Sequence, residues 1–237
     1  MNLLIINPDD IEAGKAVIRD KKRISHITDV LKKTSPGDSI KAGILNAECG
    51  TAEIISIAND EMTVLFKPDS EPPTPLPLKL VIAVPRPKVF RRILQQGTAL
   101  GIKEFHFMRT WKTDKSYLLS PELSEKKIYR DLIIGLEQAK DTILPDVFIH
   151  PLFKPFAEDE LPEISDNTVK ITAHPGGEEF SSDSTESAYT LAIGPEGGFT
   201  PYEIELLEKT GFSTVHLGSR ILRVETALPY IAGRLFR

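Results

Sequence analysis

Residues 191–227 read LAIGPEGGFTPYEIELLEKTGFSTVHLGSRILRVETA, and this stretch decides the fold of the C-terminal part of the chain. Its apolar start belongs to a predicted buried strand at Tyr189–Ile193. The turn that follows, 194–198, holds three glycines, which let a ligand approach the backbone closely. Because open α/β sheets bind ligands at the carboxyl ends of their strands, the turn is a candidate binding site. A tight turn that needs glycine only for steric reasons is an equally good interpretation.

The helix after this turn carries its own start and stop signals. Thr200 is suited to the N-cap, Pro201 to the first helical position, and Glu203 closes a capping box with Thr200. Gly211 supplies the left-handed residue that ends the helix. The glycines at 194–198 are therefore not needed to begin or end the helix.

A second strand, turn and helix follow at 215–227, and the predicted helix continues to the C-terminus. Glycine turns from two neighbouring strands can form the two walls of one pocket, in which apolar side chains hold a flat base. Arg220, Arg223 and Glu225 bring charges to this pocket, although an ion pair between Arg220 and Glu225 that braces the turn is an equally good interpretation. The phosphate-binding patterns GxxxxGK[ST] and GxGxxG do not occur in the sequence.

The remainder of the C-terminal part alternates strands with helices. The spacing of apolar residues predicts helices at 90–100 and at Glu125–Ala139, whereas 155–187 reads as polar loops apart from one strand. This alternation indicates an α/β domain with a mainly parallel sheet that helices cover on both faces. Further strands are predicted at 80–84, 105–108, 147–149, 169–173 and 214–217.

The stretch SEPPTPLP at 70–77 contains four prolines, which cannot continue a helix or a central strand. It predicts a linker and hence two domains, 1–72 and 73–237. The first domain reads as short strands with turns between them and predicts a small β-barrel of the PUA or OB type, a shape common in RNA-binding appendages. Its predicted elements are strands at Ser39–Ile44, 51–57 and 63–66 and a short helix at 26–33.

The net charge is −5, but the charges are segregated along the chain. Basic residues concentrate at 15–41 and 79–92, while 158–186 is strongly acidic. Local basic patches can bind a polyanion in a chain of negative net charge, and an ordinary solvated surface is the alternative. The candidate RNA-binding residues in these patches are Lys21, Lys22, Arg23, Lys32, Lys33, Arg86, Lys88, Arg91 and Arg92.

Composition limits the remaining possibilities. The single cysteine, Cys49, excludes an intramolecular disulfide, and the five histidines show no metal-ligand spacing, so no metal site is expected. No segment has the pattern of a signal peptide or a membrane span, which leads us to expect a cytoplasmic protein with no membrane partner. His106 and His216 lie in apolar strands and are expected in the core. Trp111 and Tyr117 are able to stack on an RNA base, although simple packing is commoner.

The run IGPEGGFTPYEIELLEKTGFSTVHLGSRILRVETA closely resembles the C-terminal signature of the SPOUT-class methyltransferases. More narrowly, it resembles the family that methylates N3 of a uridine in bacterial 16S ribosomal RNA. Weaker similarity extends to HITDVLK at 26–32 with PGD at 36–38, to residues 95–101, and to Glu137-Gln138 followed by Leu144-Pro145.

The resemblance implies a C-terminal α/β domain with a deep trefoil knot and S-adenosylmethionine in the knot loops. It also implies a homodimer, with RNA of the small ribosomal subunit lying across both subunits. The strand end at 172–174 is a further candidate wall of the site. The implied cofactor-binding residues are Gly194, Glu196, Gly197, Gly198, Leu217, Gly218, Ile221, Leu222, Arg223, Thr226 and Ala227.

Methylation of uridine N3 requires that its proton leave, which calls for a base or for a group that stabilises the resulting anion. Arg223 and Arg220 are the candidate stabilisers, and Glu196 and Glu225 are the candidate proton acceptors, because these charges cluster in the predicted pocket. Two alternatives stay open. One is a methyltransferase that acts on another RNA, such as transfer RNA. The other is a non-catalytic RNA-binding or ribosome-assembly protein of the same fold.

The chain departs from the family pattern at a few positions. Lys32 stands where the family usually has arginine, and Gln96 and Ala99 stand where it has lysine and glutamate. Near Asp141 and Thr142 the family usually has an arginine, which this chain lacks. These positions are expected to contact RNA or support the site, so they bear on the identity of the modified nucleotide.

Overall fold

The computed structural model describes residues 1–58, 60–180 and 188–236. The chain forms two compact units, each with its own six-stranded sheet. The predicted domain boundary after residue 72 stays a prediction. The first unit comprises Met1–Thr74 with Leu132–Leu144, and the second comprises Pro75–Asp131 with Pro145–Arg237.

The sheet of the first unit is mainly antiparallel. Its strands are β1 (Leu4–Ile6), β2 (Ile11–Glu12), β3 (Lys15–Ile18), β4 (Ser39–Ile44), β5 (Cys49–Ala58) and β6 (Glu61–Ser70). They pair in the order β1-β4-β5-β6-β3-β2, and only β1 with β4 is parallel. Within the described residues no ladder joins β1 to β2, so the predicted small β-barrel stays a prediction.

Strands β1, β2 and β3 were absent from the sequence-based prediction because each is short and lacks a periodic pattern of its own. β1 is held by contacts distant in sequence. Leu3 and Ile5, on one side of the chain, pack with Ile133 and Leu136. This packing explains why 132–144 belongs to the first unit. β6, by contrast, shows the alternation expected of a half-buried strand, and Met62, Val64 and Phe66 point into the core.

Helix α1 (Lys21–Ser25) begins at Asp20, whose carboxylate accepts the N–H groups of Lys22 and Arg23, and it runs into a π-helical turn at His26–Val30. The predicted helix at 26–33 thus had the wrong bounds. Lys32 has a φ of 57°, a left-handed conformation that cannot continue the helix.

The sheet of the second unit is parallel throughout, which confirms the α/β prediction. Its strands are β7 (Leu78–Ala83), β8 (Glu104–Met108), β9 (Asp146–His150), β10 (Val169–Glu179), β11 (Tyr189–Ile193) and β12 (Ser213–His216). They lie in the order β12-β10-β11-β7-β8-β9, with all neighbours parallel. β11 is buried along its whole length, as expected of a central strand that is covered on both faces.

The remaining helices include both long helices predicted from apolar spacing. They are α2 (Pro87–Ala99), α3 (Lys115–Leu118), α4 (Glu125–Ala139), α5 (Phe153–Pro155), α6 (Leu161–Ile164), α7 (Pro201–Lys209) and α8 (Val224–Leu235), with 3-10 turns at Pro8–Asp10 and Pro121–Leu123. The capping box of α7 is confirmed, since the Thr200 hydroxyl and the Glu203 carboxylate each accept the other residue's backbone N–H. Gly211 ends α7 with a φ of 93°, as predicted.

The prediction of loops over most of 155–187 was wrong. Helix α5 leads into a π-helical turn at Phe156–Glu160 and then into α6, and this segment buries Phe156 and Leu161. The acidic residues around these two side chains made the segment look polar, so its apolar face was not recognised in the sequence. β10 also continues to Glu179 through an irregularity between Ala173 and Glu178. Residues 181–187 lie outside the described part of the chain.

His106 and His150 form a buried pair in the second unit, so the prediction of a core position for His106 is confirmed. Their facing ring nitrogens are 3.1 Å apart, and the outer nitrogen of His106 lies 2.8 Å from Glu104. The outer nitrogen of His150 lies 3.3 Å from Glu160. Burial lowers the pKa of both histidines, and the carboxylates oppose this shift only in part.

We expect acid to destabilise the second unit through these two histidines. In the unfolded chain they take up protons below a pH of about 6.5, whereas the folded protein resists protonation. Their stabilising effect is therefore complete above that pH and declines as the pH falls below it. Urea unfolding at a series of pH values measures the change. A His106→Gln, His150→Gln double variant should show a shallower decline between pH 7 and 5, and equal slopes would contradict the assignment.

Candidate functional site

The carboxyl ends of β11 and β12 and the irregularity of β10 after Ala173 surround a cavity of about 620 Å³ in the second unit. Parallel neighbours end at the same edge of a sheet, so the turns that follow these strands converge there. The two glycine turns singled out in the sequence lie on this edge and line the cavity. Contrary to the sequence-based prediction, they do not follow neighbouring strands, because β10 lies between β11 and β12.

The first wall is the turn at 194–198. Gly198 has a φ of 69°, and a Cβ at this position would meet no atom within 4 Å, so its backbone borders open space. Gly194 packs closely instead, since a Cβ there would lie 3.1 Å from Phe199. The Lys112 ammonium donates to the Gly197 carbonyl at 2.8 Å and holds the turn from the β8 side.

The second wall is the turn after β12. Gly218 has a φ of 108° and again no atom near its missing Cβ. Its backbone N–H donates to Nδ1 of His216 at 3.1 Å, and the N–H of Gly176 donates to Nδ1 of His174 at the same distance. His216 thus orients the turn after β12, and His174 orients the irregular part of β10 that follows it. The predicted core position of His216 was wrong, because its strand lies at the edge of the sheet and its ring lines the cavity.

Most of the predicted cofactor residues line this one cavity. Thr226 is exposed and does not line it, whereas Ala227 does, because successive helical residues point about 100° apart. The predicted residues found on the wall are Gly194, Glu196, Gly197, Gly198, Leu217, Gly218, Ile221, Leu222, Arg223 and Ala227. The wall also includes residues that were not among the predicted cofactor-binding residues, namely Lys112, Pro175, Ile193, Pro195, Phe199, His216, Ser219 and Val224.

The candidate catalytic charges separate into two groups. Arg220, Arg223 and Glu196 line the cavity. Glu225 does not line it and lies 3.8 Å from Arg92 of α2. The suggested Arg220–Glu225 pair is thus replaced by a pair with another helix. Glu196 faces a basic residue too, with Nε of Arg86 at 3.7 Å.

The candidate RNA-binding residues differ in how far their charge is already compensated. Arg23 is half-buried, donates to the Ile5 carbonyl at 3.1 Å and pairs with Glu137 at 2.9 Å. Burial raises the pKa of Glu137, and the Arg23 guanidinium opposes that shift. These contacts give Arg23 a structural role within the first unit.

The other basic candidates are exposed or carry weak surface pairs. Lys21 pairs with Asp60, Lys33 lies 3.8 Å from Asp38, and Arg91 lies 3.6 Å from the buried Asp131. Lys22, Lys32 and Lys88 are exposed and form no ion pair with any residue that the structure describes. The exposed pairs of Lys21 and Lys33 contribute little to stability, so these two side chains can exchange partners.

Neither a metal centre nor a membrane span is visible in the described ranges. No three His, Cys, Asp or Glu side chains there are grouped so as to hold a metal ion. Over the same residues, none of the helices combines the length and the apolar character needed to cross a bilayer.

Comparison with known proteins places the cavity in a family context. The family described as RNA methyltransferase domain matches residues 72–235. The ribosomal RNA small subunit methyltransferase E of Treponema pallidum is 35% identical over 96% of this chain and 87% of its own length. Ribosomal RNA small subunit methyltransferase E 1 of Borreliella burgdorferi is 29% identical, over 96% of this chain and 94% of its own.

A solved structure shares the fold. The ribosomal RNA small subunit methyltransferase E from Neisseria gonorrhoeae, bound to S-adenosyl methionine, superposes with a TM-score of 0.75 at 18% identity. The match covers 98% of this chain and 95% of that one. The family match spans most of the chain, and the Treponema relative matches nearly all of it. The chain therefore belongs to the RNA methyltransferase family, within the group of ribosomal RNA small subunit methyltransferases E.

Proposed function

We propose that this protein uses S-adenosylmethionine to methylate N3 of a uridine in 16S ribosomal RNA of the small subunit. The observation that carries the proposal is the cavity of about 620 Å³ between the turns at 194–198 and 217–223, in a chain of this family. The names of the relatives support ribosomal RNA as the substrate class. The uridine N3 acceptor rests on the resemblance of the C-terminal signature.

The cavity suits S-adenosylmethionine in size and in lining. Small-molecule sites commonly enclose about 300–1,000 Å³, with apolar walls and a few polar groups. The backbone at Gly198 and Gly218 borders open space that any side chain would fill. Ile193, Leu222 and Ala227 supply apolar surface for an adenine ring. The residues that would hold the cofactor are those of the two turns, together with Ala227 at the start of α8.

S-adenosylmethionine, when bound, supplies a methyl group that its sulfonium already activates. The protein therefore has to align the acceptor and manage one proton. Glu196 is the best-placed acceptor for the N3 proton, since its carboxylate is on the cavity wall and Glu225 is not. Arg220 and Arg223 can stabilise negative charge on the carbonyl oxygens that flank N3.

The finer features implied by the resemblance belong to the same proposal. They are a trefoil knot in the second unit, a barrel-like N-terminal domain over 1–72, a homodimer and a cytoplasmic location. RNA contacts are expected from the exposed Lys22, Lys32 and Lys88 and from the weakly paired Lys21, Lys33, Arg86, Arg91 and Arg92. Neutralising one true phosphate contact should weaken RNA binding and reduce its dependence on salt.

Two measurements test the proposal. Calorimetry of the purified protein with S-adenosylmethionine should show binding, and labelled methyl should then pass to a single uridine of small-subunit RNA or particles. Transfer to transfer RNA instead would favour the alternative substrate. Binding with no transfer to any RNA would favour a non-catalytic role, and absence of binding would contradict the enzyme assignment.

Glu196 and Glu225 form a matched pair of variants for the proton acceptor. We expect Glu196→Gln to lower the methyl-transfer rate by about 100-fold, because a positioned base commonly contributes at least that much. Glu225→Gln should have a much smaller effect, since Glu225 does not line the cavity. Single-turnover rates at saturating S-adenosylmethionine measure both. A larger loss with Glu225→Gln would contradict the assignment.

A further inference from the structure

A second cavity, of about 570 Å³, opens at the carboxyl ends of β8 and β9 and at the start of α7. These ends lie on the same edge of the parallel sheet as the first cavity, with β7 between the two groups of strands. The wall of this second cavity includes Trp111, Leu152 and Tyr202, whose side chains are unusually exposed for their size. Nothing in the methyl-transfer proposal uses it.

Trp111 combines an exposed ring with a fixed backbone. Its residue is 85% exposed, yet its backbone N–H donates to Glu203 at 2.7 Å. Glu203 is itself buried and bonded to Thr200. The hydroxyls of Thr110 and Thr113, on either side of the tryptophan, meet at 2.8 Å. The loop therefore presents a large aromatic surface without needing to be ordered on binding.

The loop at 109–113 also joins the two cavities. Trp111 lines the second cavity, and the next residue, Lys112, lines the first and donates to the Gly197 carbonyl at 2.8 Å. Consecutive residues of one loop therefore line the two cavities.

The basic residues around the second cavity favour an anionic chain as its ligand, and the aromatic residues favour flat, unpaired bases. Arg109 and Lys154 lie on its wall, and Lys154 forms an exposed pair with Glu158 at 3.8 Å, which contributes little to stability. The acidic wall residue, Glu203, is buried, and both of its carboxylate oxygens accept hydrogen bonds from backbone N–H groups. Aromatic side chains beside basic ones are the usual means of stacking single-stranded bases.

We propose that the second cavity binds an unpaired nucleobase of the RNA substrate, next to the nucleotide that enters the first cavity, with the base stacked on Trp111. This inference rests on the proposed function for its substrate class. Tyr202 and Leu152 add apolar surface beside the ring, and Arg109 and Lys154 contact the backbone phosphates on either side.

Trp111 is the only tryptophan of the chain, so its fluorescence reports on this cavity directly. We expect a short single-stranded oligouridylate to quench the emission of the wild-type protein. Both Trp111 variants lack tryptophan, so calorimetry measures their affinity for the same oligouridylate. Trp111→Ala should weaken binding by about tenfold, and Trp111→Phe should restore most of the affinity, in keeping with the usual effect of one stacked base. Leu119→Ala is the matched control, because Leu119 is 84% exposed and does not line the cavity.

S-adenosylmethionine binding by Trp111→Ala, measured by calorimetry, should be unchanged, which separates this inference from the proposed function. Unchanged emission at saturating oligouridylate, or wild-type affinity in Trp111→Ala, would overturn the inference and leave the cofactor assignment intact. Failure of the wild-type protein to bind oligouridylate would also overturn it. Sedimentation velocity completes the test: if Trp111→Ala alters the oligomeric state and leaves RNA affinity unchanged, the cavity is a contact between copies of this chain.

Discussion

Replacing Glu203 by alanine is expected to lower the free energy of unfolding by about 3 kcal/mol. The carboxylate is only 2% exposed and accepts three hydrogen bonds, from the N–H of Trp111 at 2.7 Å, the N–H of Thr200 at 2.7 Å and the Thr200 hydroxyl at 2.9 Å. Alanine would leave two backbone donors unpaired and remove half of the capping box of α7. Urea unfolding at neutral pH measures the loss.

The same substitution should alter the walls of both cavities, because Glu203 fixes the loop that carries Trp111 and Lys112. We expect weaker S-adenosylmethionine binding in Glu203→Ala at temperatures where the variant is still folded. Glu205→Ala, two residues further along α7, is the matched control, since Glu205 is exposed and pairs only with Lys209. Similar losses of stability in the two variants would show that the buried hydrogen bonds of Glu203 do not stabilise the folded protein.

Gly218→Ala is expected to weaken S-adenosylmethionine binding by at least about tenfold, which corresponds to about 1.4 kcal/mol. The φ of 108° at this position is open to glycine and strained for any other residue. In the free variant the turn would relax to another conformation and carry the N–H of Gly218 away from His216. Binding would then have to restore the strained turn. Calorimetric titration measures the change in affinity.

Gly37→Ala is the control for strain alone. Gly37 has a φ of 91°, no atom within 4 Å of its missing Cβ, and a place in the turn before β4 of the first unit. Both variants should lose some stability, but only Gly218→Ala should lose cofactor affinity. Wild-type affinity in Gly218→Ala would mean that the turn at 217–223 does not contact the cofactor.

Local sequence signals were sufficient to predict the elements whose ends are marked by capping residues or glycines. The capping box of Thr200 and Glu203, the stop at Gly211 and the glycine turns at 194–198 and 218 are all found where the sequence predicted them. Each depends on backbone conformations and hydrogen bonds within a few residues, so a short window of sequence contains the necessary information.

Elements that are stabilised by contacts with residues far away in the sequence could not be predicted from local signals. β1 has only three residues and exists because it pairs with β4. The segment 132–144 continues a helix that begins in the second unit, yet it packs in the first. Periodicity describes one face of one element and contains nothing about which other element will cover that face.

The sequence by itself determined the parallel α/β class of the second unit, the two glycine turns and, through its C-terminal signature, the family. Only the tertiary structure decided which side chains share the cavity with those turns. It brought Lys112 to Gly197, gave the N–H groups of Gly176 and Gly218 acceptors on His174 and His216, and directed Glu225 toward Arg92. The physical reason is that a parallel sheet brings together strand ends that are far apart in the chain. A local sequence pattern contains no information about which strand ends become neighbours.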